Sequence, residues 1–126
     1  MAPVKISRPD QYNHENKTWS RLLEFFKQEN SFLKNRLAEV VDYRADKEFL
    51  ALAEHFQNKF IIEDEYIDEL RHDINIQLMD LKNIKENVVE HKLIKQQEKL
   101  RNEMEYFEND FNKLKNEFNK YLSTVL

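Results

Sequence analysis

The sequence predicts an all-α fold, an antiparallel bundle of long helices, and three observations carry that prediction. Apolar residues recur alternately every four and three positions at Phe49, Ala53, Phe56, Phe60, Ile67, Leu70, Ile74, Leu81, Ile84 and Val88, with Glu63 and Gln77 as polar rungs in phase. That spacing lays one stripe along one face of a helix. The 126-residue chain contains no glycine, and its two prolines, Pro3 and Pro9, lie near its start, so tight hairpins and glycine-rich phosphate loops have no place in it. Charged residues make up 35% of the chain beside nine phenylalanines, a balance that suits amphipathic helices and not a disordered tail.

Residues 1–13 read as an irregular arm, because the two prolines and the scattered Val4, Ile6 and Tyr12 give no period. A single bundle domain is expected over 14–126, with helices at about 15–43, 46–90 and 93–125. The first helix begins between Asn13 and Thr18, where Asn13, Asn16 and Thr18 are all acceptable caps. Its stripe is Trp19, Leu23, Phe26, Asn30, Leu33, Leu37 and Val40. Asp42–Asp46 forms the first turn, and Asp46 caps the second helix, which carries the long stripe. The third helix carries Leu93, Gln97, Leu100, Met104, Phe107, Phe111, Leu114, Phe118, Tyr121 and Val125, offset by two positions from the stripe before it. The offset requires a turn near Val89–Lys92, made without glycine from the charged stretch Asn87–Lys92. An alternative cuts the second helix at 62–64, with Asp64 as a new cap, and gives four helices. Three are favoured because a turn seldom preserves the heptad phase.

Folding the first helix back about residue 45 sets Leu33 beside Phe56, Phe26 beside Asp64 and Trp19 beside Leu70. Folding the third back about residue 91 or 92 sets Leu70 opposite Lys113 or Leu114, and Phe60 opposite the end of the chain. The outer helices then cover different halves of the middle one and leave stretches only two helices thick, which bury little. Second apolar lines at Leu22, Phe25 and Phe32 and at Ile62, Tyr66, Ile76 and Met79 point the same way. The expected remedy is a homodimer in which a partner's helices complete the bundle, the alternative being a self-contained four-helix monomer.

Net charge is −4, spread unevenly: residues 46–80 hold three Lys/Arg against ten Asp/Glu, and residues 81–101 hold six against three. The asymmetry favours contact between those two segments. It also lacks the basic stripe of a nucleic-acid binder. No cysteine is present, which excludes disulfides and thiolate chemistry. The apolar clusters fall far short of a bilayer span, no signal peptide is legible, and a cytoplasmic protein is expected. The four serines, Ser7, Ser20, Ser31 and Ser123, fit no nucleophile motif.

Glu69 and His72 form a Glu-x-x-His pair, the spacing that sets a carboxylate and an imidazole on one helical face in di-metal bundles. With His55, Glu65 and Glu29 they make a candidate metal site, although the pairing sets Glu29 opposite residue 61. The commoner reading is a solvated helix flank. Asn30, Glu63, Gln77 and Gln97 interrupt apolar seams, where a polar residue fixes register and partner choice. The expectation is therefore a non-enzymatic bundle without cofactor or small-molecule substrate, binding a second copy or another helical protein through Leu22, Phe25 and Phe32. A metal-binding carboxylate/histidine bundle is the alternative.

Overall fold

The computed structural model describes residues 4–5, 7–43, 46–84 and 88–126 and is an all-α bundle of three helices. They are α1 (Ser7–Val41), α2 (Lys47–Lys82) and α3 (His91–Val125), of 35, 36 and 35 residues. At 1.5 Å per residue each is about 53 Å long. A two-residue antiparallel pair, β1 (Val4–Lys5) with β2 (Val88–Val89), ties the chain's start to the α2–α3 connection.

The bundle differs from the sequence expectation at two helix ends and follows the favoured three-helix reading between them. Helix α1 starts at Ser7, so 7–13 belongs to it and not to an irregular arm; positions 1–3 and 6 lie outside the described residues. Pro9 is the third residue of α1, within the first turn, where a missing N–H leaves no intrahelical bond unmade. Helix α2 runs through Glu63 without a break, which rules out the four-helix cut, and its cap is Asp46, whose side chain accepts from the Phe49 amide. Within the first turn, Arg44 and Ala45 lie outside the described residues.

The second difference has the larger consequence. Helix α2 ends at Lys82 with Asn83 as its C-cap, so Ile84 falls after the helix and Val88 in β2, although both keep the heptad spacing. Contacts between α2 and α3 accordingly centre near position 87, as Gln77 with Gln97 and Phe56 with Phe118 show. Phe60 packs on Phe118 at 5.1 Å between ring centroids, and Tyr66 packs on Phe107 at 5.4 Å. That sets Leu70 level with Met104 and not with Lys113 or Leu114. Between α1 and α2 the register slips by one turn, so that Asp64 meets Asn30 and not Phe26. All three helices therefore overlap along their full length, and no stretch is two helices thick.

The core divides into two parts. The larger cluster runs from Leu23, Ile74 and Leu100 to the far end of the bundle and is rich in phenylalanine, with Phe26 edge-on to Phe107 and Phe111. The smaller joins Tyr12, Leu81 and Leu93, with Ile84 and Ile94 against it. Fully burying one such side chain stabilises by about 1.5–3 kcal/mol, which is why the stripes dominate the fold. Cross-helix ion pairs among the described residues all use α1. Lys27, Lys34 and Glu24 meet Asp68, Asp64 and Arg71 of α2, and Glu15 and Glu29 meet Arg101 and Lys115 of α3. Segments 46–80 and 81–101 do pack antiparallel, as Gln77 with Gln97 shows, while among the described residues Arg101 pairs with α1, and Lys99 with Glu103 of its own helix.

Candidate functional site

Three sets of residues stand out from the apolar packing: an exposed aromatic line on α1 and two polar layers inside the bundle. The aromatic line comes from sequence spacing alone, since Phe25 and Phe32 are seven apart and share a face about 100° from the buried stripe. They are 57% and 66% exposed, while the other seven phenylalanines are buried. Leu22, the third residue of that line, is half-buried and packs against the core. Phe25 leans edge-on against Phe26 at 5.8 Å. Glu29, on the same flank, is tied to Lys115 of α3. Asn112 and Asn119, three before and four after Lys115, occupy the same flank of α3 and are exposed. Gln28, Ser31 and Asn35 are uncharged neighbours of Phe32 along α1. The surface around Phe32 is thus aromatic and amide-rich, with Glu29 paired to Lys115 and the exposed Arg36 one turn on.

The first polar layer lies between the two core clusters and takes one amide from each helix: Asn16, Gln77 and Gln97, all buried. Gln97 is the hub. Its Oε1 accepts from Asn16 Nδ2 at 3.1 Å and from Gln77 Nε2 at 3.2 Å, and its Nε2 donates to Asn16 Oδ1 at 3.2 Å and Glu15 Oε1 at 2.7 Å. Gln77 Nε2 also donates to the Leu93 carbonyl at 2.9 Å. Arg101 closes the network at the rim with two bonds to Glu15, at 2.7 and 3.0 Å. Burial acts to raise the Glu15 carboxyl, but donation from Arg101 and Gln97 and the Arg101 charge outweigh it and hold it below the usual range. Arg101 is raised, chiefly by its hydrogen bond to Glu15.

Asn16 was legible only as a cap candidate for the first helix. Counting three back from Trp19 along the stripe reaches it, and that step identifies the third amide.

The second layer lies two heptads away, where Asn30 replaces Asn16 and Glu63 replaces Gln77, while α3 supplies Phe111 in place of Gln97. Asn30 Nδ2 donates to the Phe60 carbonyl and to Asp64 Oδ1, each at 2.8 Å. Asn30 Oδ1 and Glu63 Oε2 are buried without a partner among the described residues. Glu63 is 3% exposed. Burial first, then a hydrogen-bonding contact with Asp110 and the Asp110 charge, push its carboxyl up to about 8, against a smaller opposing pull from Lys59. Tyr66, one turn on, is raised by burial and by the charges around it, Glu103, Tyr106, Asp110 and Glu63.

The metal candidates do not converge. Glu69, His72, His55 and Glu65 are exposed on the outer side of α2, and Glu29 is engaged with Lys115 on α1. Among the described residues no group of three or more His, Cys, Asp or Glu could hold a metal ion. Two open grooves flank α2. One, of about 450 Å³, lies between Lys34, Leu37, Val41, Ala53, Gln57 and Ile61, and the other, of about 210 Å³, between Asp73, Ile76, Gln77, Asp80, Lys92 and Gln96. Neither brings together a nucleophile and a base. No helix among the described residues is long and apolar enough to cross a membrane. No protein family, no curated protein and no solved structure matches the chain.

Proposed function

We propose that this chain is a non-enzymatic, cytoplasmic helical-bundle protein that acts through protein–protein contacts and self-associates as a homodimer across Leu22, Phe25 and Phe32. The single observation that carries the reading is the sorting of phenylalanines: seven of nine are buried, and the two that are exposed, Phe25 and Phe32, lie on one line. An exposed aromatic pair of this kind has the character of an interface centre, where aromatic residues are enriched.

The amides on that flank also favour a second copy as the partner. A two-fold contact sets a surface against itself, and Asn112, Asn119, Gln28 and Asn35 each offer both a donor and an acceptor to their own kind. Packing of the two copies would be coiled-coil-like, helix beside helix. The reason for a dimer that the sequence suggested, half-covered helices, no longer applies, because each chain closes its own core. The contact therefore adds to a complete bundle instead of completing it.

The test is the solution mass by light scattering, for the natural chain and for the double variant Phe25→Asp, Phe32→Asp. Wild type is expected at twice the chain mass of 15.4 kDa, and the variant at one chain mass with unchanged helicity by circular dichroism. A monomeric wild type at every concentration removes self-association. A variant that stays dimeric moves the contact elsewhere.

A further inference from the structure

Glu63 sits in phase with the apolar rungs Phe60 and Ile67, so the fold of α2 forces its carboxyl into the seam with α3. Across that seam its polar neighbour is another acid, Asp110, within hydrogen-bonding contact. Two ionised carboxylates have no hydrogen to offer each other, so such a contact, with Glu63 buried and Asp110 half-buried, is attractive only when one of the pair carries a proton. Glu63 is the more buried of the two, and its Oε2 has no hydrogen-bond partner among the described residues.

The surroundings supply little to neutralise a second negative charge. On α2, Lys59 is the cation that acts on Glu63, from one turn before it, and it is exposed, whereas Tyr66 follows one turn after. On α3, Glu103 and Tyr106 join Asp110 around Tyr66. On α1, Asn30 is level with Glu63 but directs its amide N–H to Phe60 and Asp64, and the nearby cations Lys27 and Lys34 are engaged with Asp68 and Asp64. Lys115 of α3 is engaged with Glu29.

We propose that Glu63 and Asp110 share one proton in the native bundle and that this proton is a catch between α2 and α3. With the proton in place, the Glu63 O–H donates to the Asp110 carboxylate and ties the two helices. When it leaves for solvent, two anions face each other across an apolar seam, and α3 loosens from α2 at the level of Tyr66 and Tyr106, whose rings stack across the same seam. Because burial and Asp110 hold the Glu63 carboxyl near 8, against an ordinary value of 4.5 in the unfolded chain, the stabilisation is full below 4.5 and is lost as pH rises towards 8. The catch therefore releases on mild alkalinisation.

The experiment measures the folding equilibrium of the full chain by urea denaturation at pH 6 and pH 9, for wild type and Glu63→Gln, together with a carbon-13 titration of the wild-type side-chain carboxyls. The wild-type folding constant is expected to fall by about a hundredfold between those pH values. In Glu63→Gln, whose amide donates to Asp110 at every pH, the fall should be only a few-fold. One carboxyl should titrate far above the ordinary range and return towards it in Asp110→Asn. Parallel losses in wild type and Glu63→Gln overturn the proposal. So does a Glu63 carboxyl that titrates with the other acids, a reading that stands even if Glu63→Gln fails to fold.

Discussion

The two polar layers of this bundle occupy equivalent heptad positions and are built on opposite principles. At Asn16, Gln77 and Gln97 each helix contributes a neutral amide, and one side chain, Gln97, accepts from both others and donates back to Asn16. At Asn30 and Glu63 the third helix contributes Phe111, and two buried oxygens are left over. A buried polar group that is satisfied specifies a structure, whereas one that is half satisfied is a local weakness. The amide layer also sits where the apolar core is already interrupted, between its two clusters, while the acid layer lies within the continuous phenylalanine core. The same heptad position thus locks register in one place and stores a proton-dependent instability in the other.

Breaking the first layer should produce the largest effect. Gln97→Leu removes the hub and strands Asn16 and Gln77 in an apolar cross-section, at an expected loss of about 3 kcal/mol in urea denaturation. A loss below about 1 kcal/mol would mean that the remaining amides satisfy each other without it. The matching change in the second layer should have the opposite sign: Glu63→Leu at pH 9 replaces a buried anion with an apolar group and should stabilise by about 1–2 kcal/mol. If both substitutions cost the same, the layers are not different in kind.

Much of this contrast could be read in the sequence, and the reasons for what could not are physical. Glu63, Gln77, Asn30 and Gln97 stood out because each holds its place in an apolar period, and that same phase kept α2 in one piece through Glu63. Heptad phase says nothing of where a helix stops. Ile84 and Val88 continue the period, yet α2 ends at Lys82, and the displaced turn changes every pairing across the α2–α3 seam. Glu63 and Asp110 could not be matched until that turn was placed. At the other end, two prolines concealed a helix that Pro9 is able to begin, and the polar Asn16 broke the stripe that would have extended it back to Tyr12. The common line of Phe25 and Phe32 followed from spacing but their exposure did not, since aromatic residues at helical spacing are more often core, and the metal candidates Glu69 and His72 shared a face that meets solvent.

The smallest effect sharpens the comparison from its rim. Arg101 is exposed and its pair with Glu15 is worth about 0.5–1 kcal/mol, less at high salt, so Arg101→Ala should cost only that. Its value is in the pH profile. Glu15 is held below its ordinary range, so its contribution is present above 4.5 and lost as the solution is acidified. Glu63 is displaced the other way, and its contribution is lost as pH rises towards 8. The natural chain should therefore be most stable between two limbs, an acid one belonging to the amide layer and an alkaline one belonging to the acid layer. Arg101→Ala should flatten the first limb and leave the second unchanged, as measured by thermal unfolding from pH 3 to pH 9. A change in the alkaline limb would mean that the two layers are coupled along the length of α3, and the comparison would then describe one network instead of two.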